Sequence, residues 1–251
     1  RRVGDRVWVY YGQRGRPFGT AAEYICLDAG FTMPLPEHVS FAEGACLGIP
    51  AVTAWQAVLG DGPVSGRTIL VTGGAGAVGH YAVQIAKWAG ARVVATVSSD
   101  SKAEQARKAG ADTVLEYRSE NLAEQIREAF EGRGAERIVD VDASVNAGVV
   151  LDVAANGAVW VSYAVGPKPE LDIPLASLLR KCVTLRGIYM PALAPSERLR
   201  AQEGVQKWLE EAPEALHMVD SVFPLSRTDA AHERVESGQK VGTVVVDCAA
   251  D

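Results

Sequence analysis

The chain has 251 residues, 48% of them apolar, with a formal net charge of −6. That is enough apolar material for one full domain and part of a second. It contains no run approaching the ~20 apolar residues of a membrane span, and no block of lysine or arginine that would mark a nucleic-acid partner. Cys26, Cys46, Cys182 and Cys248 are scattered without a CxxC pair, and His38, His80, His217 and His232 are equally isolated. The expectation is free thiols in a reducing cytoplasm and no metal site.

In chain order, residues 6–10 read as a strand, inside a stretch (3–50) of short strands and Pro/Gly turns. The chain opens at Arg1 without methionine, directly before that strand, which reads as a domain with an N-terminal segment missing. Residues 69–72 form an apolar, β-branched run, then a glycine turn, then a helix pattern over 80–87. A second strand is expected at 92–97, a helix at 101–109 ended by Gly110, and a third strand at 113–117. Residues 121–130 carry Leu122, Ile126 and Phe130 on one helical face. A fourth strand falls at 137–141, a short helix at 147–155, a fifth strand at 158–163 and a sixth at 183–189. The last segment, 222–251, ends in a β-run at 243–246.

Strands separated by helical crossovers predict an α/β fold, a doubly wound parallel Rossmann sheet. Its first and fourth strands should flank the switch point. The β-rich ends, 1–50 and 222–251, are expected to form a second domain around the dinucleotide-binding domain at 51–221.

Gly74-Ala75-Gly76-Ala77-Val78-Gly79 is a dinucleotide fingerprint between a strand and a helix. Gly74 is expected to permit the turn, Gly76 to admit a pyrophosphate, and Gly79 to let helix and strand approach closely. Ala77 and Val78 belong to the same turn. The second strand ends Val97-Ser98-Ser99, without the acidic residue that holds the ribose 2′-OH of NAD, leaving room and hydroxyls for a 2′-phosphate. Asp100 could cap the next helix or accept a ribose hydroxyl.

Several separated stretches together resemble a known family. They are Gly4-Asp5-Arg6-Val7, Gly19-Thr20-Ala21-Ala22-Glu23-Tyr24, Gly48-Ile49-Pro50-Ala51-Val52-Thr53-Ala54-Trp55 and Ala230-Ala231-His232-Glu233. In order and spacing they resemble the medium-chain dehydrogenase/reductase superfamily, specifically its zinc-independent, zeta-crystallin-like NADPH:quinone oxidoreductases. The resemblance implies a GroES-like catalytic domain beside the Rossmann domain, incomplete at its N-terminus in this sequence. It also implies a zinc-free enzyme. No cysteine lobe follows the Gly4–Val7 strand, and Ile49 stands where zinc members carry a ligating cysteine.

The same resemblance implies NADPH as cofactor. It assigns Lys102 to the 2′-phosphate and Tyr117 to the adenosine end, while a solvated first-turn lysine is the plain alternative for Lys102. Thr53, Ser144, Tyr163 and Ala164 (a glycine in the family) match nicotinamide-end positions, and Thr53 could equally be a packing threonine. Tyr189 matches an acceptor-pocket position. The family's tyrosine and asparagine beside the nicotinamide fall before Arg1, so no catalytic residue is assigned. The implied activity is hydride transfer from NADPH to a quinone or conjugated enone, by a homodimer paired through the strand at 183–189, with neither nucleic acid nor membrane as partner. Two alternatives stand beside it: an enoyl-thioester reductase of the same superfamily, and an NADPH-binding protein without turnover.

Overall fold

The computed structural model describes residues 1–13 and 15–249. Residues 53–193 form one compact unit, and residues 1–52 with the chain from 194 onward form another. In the latter, β1 (Val7–Val9) pairs antiparallel with β2 (Thr32–Pro34), Trp8 opposite Met33. The short helix α1 (Phe41–Ala45) starts with a capping box, in which Ser40 and Glu43 satisfy each other's backbone N–H. The division between units falls inside α2 (Gly48–Leu59).

The other unit alternates strand and helix: β3 (Thr68–Thr72), α3 (Gly79–Trp88), β4 (Arg92–Val97), α4 (Asp100–Lys108), β5 (Thr113–Glu116), α5 (Leu122–Ala129), β6 (Ala135–Asp140), α6 (Ala143–Val153), β7 (Ala154–Ser162), α7 (Leu175–Lys181) and β8 (Thr184–Gly187). The sheet order is β5-β4-β3-β6-β7-β8, and every neighbouring pair is parallel. The order reverses between β3 and β6, the first and fourth strands of the sequence pattern. All five residues of β3 are buried, as expected for a central strand covered on both faces. Leu70, Val94, Ile138 and Trp160 pack with Leu122, Ile126 and Phe130, so the helical face read at 121–130 is the one that meets the sheet. Because all six strands run the same way, the loops leaving their carboxyl ends share one edge.

Arg137 lies in β6, fully buried, and its guanidinium donates to the Ala57, Val58 and Asp61 carbonyls. These are last-turn and post-helix carbonyls of α2, so a charged side chain from the sheet caps that helix. Asp61 balances the charge and also binds Arg186 at 2.6 Å.

The chain then forms α8 (Pro195–Glu211), β9 (Val219–Pro224), α9 (Thr228–Glu236) and β10 (Thr243–Asp247), with β9 and β10 parallel. The return to the first unit thus begins at 194 rather than at 222. The reason is α8, whose buried Ala201, Val205, Trp208 and Leu209 group with the N-terminal residues. There Gln202 donates to the Gly30 carbonyl at 3.4 Å, and Trp8 Nε1 donates to Gln206 at 3.4 Å. Among the described residues no helix is long and apolar enough to cross a membrane.

Candidate functional site: the carboxyl edge of the parallel sheet

The fingerprint glycines leave β3 and enter α3. The left-handed backbone falls on Gly73 (φ 68°), so Gly73 makes the turn that the sequence assigns to Gly74. Gly74 is required for another reason. A Cβ there would stand 2.7 Å from the Ala95 Cβ of β4, and its N–H donates to the Thr96 carbonyl at 2.9 Å. Gly79 has the strictest demand: a Cβ would meet the Gly73 carbonyl oxygen at 2.1 Å. Gly76 is exposed at the apex, with Ala77 and Val78 half-buried behind it. The N-cap of α3, Val78, gives no side-chain cap, which leaves that helix end fit to face an external anion.

Beneath the switch point lies Asp140, the last residue of β6 and fully buried. Its Oδ1 accepts from Thr72 Oγ1 at 2.7 Å, Asn146 Nδ2 at 2.7 Å and the Asp142 N–H at 3.1 Å; its Oδ2 accepts from Trp160 Nε1 at 2.8 Å. Thr72 in turn accepts from the Val141 N–H at 2.9 Å. One carboxylate therefore ties the end of β3 to β6, α6 and β7. Ser144, in the first turn of α6, donates to Asp142 at 2.6 Å. The Tyr163 N–H donates to the Asp140 carbonyl at 3.2 Å. Burial, and secondarily the Asp140 charge, push the Tyr163 phenol well above its usual range, so it keeps its proton. Ala164, just beyond, is exposed.

At the end of β4, Ser98 accepts from Lys102 Nζ at 2.9 Å. Ser99 is the N-cap of α4 and accepts from the Lys102 N–H, so the cap is Ser99 and Asp100 is an exposed first-turn residue. The Tyr117 N–H donates to the Val97 carbonyl at 3.0 Å, which draws the end of β5 beside Ser98. Four residues singled out from sequence (Ser98, Ser99, Lys102 and Tyr117) thus lie at or just beyond the adjoining ends of β4 and β5.

Thr53 is buried in α2. Tyr189 follows β8 at the carboxyl edge and is 70% exposed. Asp140 and Arg118, which lays its guanidinium over the Tyr117 ring, were not singled out by the sequence reading. For Asp140 the available signal was an acid directly after the apolar pair Ile138-Val139 at the end of its strand. Among the described residues no group of three His, Cys, Asp or Glu side chains stands as a metal-ligand set. The four cysteines are free; Cys46 is buried, and burial raises its thiol above the usual range.

The family model described as "Zinc-binding dehydrogenase" matches residues 77–210, more than half of the chain. The chain belongs to that family. Within it, the chain is a quinone-oxidoreductase-like member of the medium-chain dehydrogenase/reductase superfamily. It is 26% identical to the quinone oxidoreductase of Rattus norvegicus, over 98% of this chain and 73% of the relative. Its fold matches an NAD-dependent alcohol dehydrogenase with TM-score 0.82 at 29% identity, covering 91% of this chain and 65% of that one. It also matches a mycobacterial protein solved with NADPH (TM-score 0.77, 25% identity, 88% of this chain and 70% of that one). The chain thus spans between about two thirds and three quarters of the length of these dehydrogenase-family relatives. The fold is that of nicotinamide-dependent members of the family.

Proposed function

We propose that this chain is an oxidoreductase that binds NADPH in preference to NADH along the carboxyl edge of its sheet and reduces a quinone or conjugated enone without zinc. The observation that carries the reading is the adjoining ends of β4 and β5, where Ser98, Ser99 and Lys102 stand beside Tyr117 with a lysine–serine bond and no carboxylate on the last residue of β4. That set suits a 2′-phosphate; an NAD site would place an acid there. In this reading the uncapped start of α3 and the Gly74–Gly79 turn face the pyrophosphate. Thr53, Ser144, Tyr163 and Ala164 attend the nicotinamide end, and Tyr189 faces the acceptor.

When bound, the reduced nicotinamide supplies a hydride. The chain's own residues bind, orient and exclude water. A quinone or enone accepts hydride into a delocalised anion, so no Lewis acid is needed, in keeping with an isoleucine at position 49. Tyr163 holds its proton at Oη through neutral pH. The exposed edge strand β8 supports a homodimer by strand pairing across a twofold axis, and four free cysteines suit a reducing cytoplasm.

The test is an acceptor panel with NADPH, run with and without a chelator. The reading expects turnover of 1,4-quinones and conjugated enones, indifferent to the chelator. Turnover abolished by chelation, or confined to an enoyl-thioester, would overturn it.

A further inference from the structure

Arg118 follows Tyr117 out of β5, and its guanidinium carbon lies 5.0 Å from the Tyr117 ring centroid. Both side chains are exposed. Their position is set by the sheet, because β5 pairs with β4 in parallel register with Glu116 opposite Val97, and the Tyr117 N–H closes on the Val97 carbonyl. Arg118 therefore leaves the sheet beside the strand end from which Ser98 and Lys102 rise.

Four arginines of this unit are spent on carboxylates of the fold. Arg92 pairs with Glu131, Arg127 with Asp152, and Arg137 and Arg186 with Asp61. Arg118 has neither a carboxylate nor a carbonyl partner among the described residues, so its five donors are unspent. Lys102 by contrast is a compact charge already bonded to Ser98. Exposed Asp100 and Glu116 border the same strand ends, so Lys102 alone gives no net positive field there.

We propose that Arg118 is the second cation of the 2′-phosphate subsite: stacked on Tyr117, it reads a 2′-phosphorylated adenosine with its guanidinium fork while Lys102 neutralises the phosphate from the other strand end. This deepens the NADPH reading and rests on it. A planar fork suits phosphate oxygens, and the tyrosine face holds the side chain in place, so less freedom is lost on binding.

The experiment compares binding of 2′,5′-ADP and 5′-AMP to the full chain and to Arg118→Ala, Arg118→Lys and Lys102→Ala. The parent should prefer 2′,5′-ADP. Arg118→Ala should weaken 2′,5′-ADP by about tenfold while leaving 5′-AMP nearly unchanged, which also verifies folding. Arg118→Lys should recover only part of the loss. If Arg118→Ala binds both nucleotides like the parent while Lys102→Ala loses 2′,5′-ADP, Arg118 is a solvated surface arginine and the inference fails with the NADPH reading intact. If the parent does not discriminate between the two nucleotides, both fall.

Discussion

Asp140 is fully buried, yet its two oxygens take four donors drawn from β3, α6, β7 and the loop after its own strand. A carboxylate so satisfied can be kept in a core; an amide cannot take its place, because its NH₂ must face a donor. Asp140→Asn should cost about 2–4 kcal/mol of unfolding free energy in denaturant titration. Trp160→Phe removes one of the opposing donors, so the double variant should lose less than the sum of the singles; strict additivity would show that the two side chains are not coupled. Asp220 is a second satisfied carboxylate. The Arg234 guanidinium, and then the Val241 N–H and Ser221, hold its pKa far below the usual carboxylate range. Its folded pKa is depressed, so its stabilisation is present above the unfolded value of about 3.9 and fades as the pH falls further. Asp220→Asn should therefore melt lower than the parent at pH 7, and the gap should narrow in melts taken below about pH 4.

The turn between β3 and α3 works by close approach. Gly74→Ala drives a methyl into the Ala95 methyl, and a second substitution, Ala95→Gly, should recover much of a loss of about 1–3 kcal/mol read by chemical denaturation. Gly79→Ala meets backbone rather than a side chain, so no side-chain substitution should rescue it. The alternation from β3 to β7 was legible because parallel strands buried on both faces read as apolar runs, and β4 lies at the residues read for it. The helix α8 was not read. Its buried face mixes Ala201, Val205, Trp208 and Leu209 with Gln202, among exposed charges, so the apolar stripe is thin. At the site, the glycine turn and the serines after β4 were legible because their chemistry is local. Asp140 was not, since its role exists only once Thr72 and Trp160, far apart in sequence, reach it. The cap of α4 went to Ser99 because its oxygen, not that of Asp100, reaches the Lys102 N–H.

At the scale of the molecule, the parallel sheet ends in an edge strand, β8, whose Thr184 and Leu185 are exposed. An unpaired edge of this kind is a template for another strand. The proposed homodimer makes sedimentation at micromolar concentration return twice the protomer mass, and Leu185→Pro should return the mass of one; a parent that sediments as one protomer would remove the dimer. The carboxyl edge of that sheet is where the cofactor is proposed to bind. The most direct measurement is a fluorescence titration of NADPH against NADH, on the parent and on Lys102→Ala. NADPH should bind more tightly than NADH, and this preference should collapse in the variant, with NADH binding little changed. Equal binding of both cofactors, indifferent to Lys102, would contradict it.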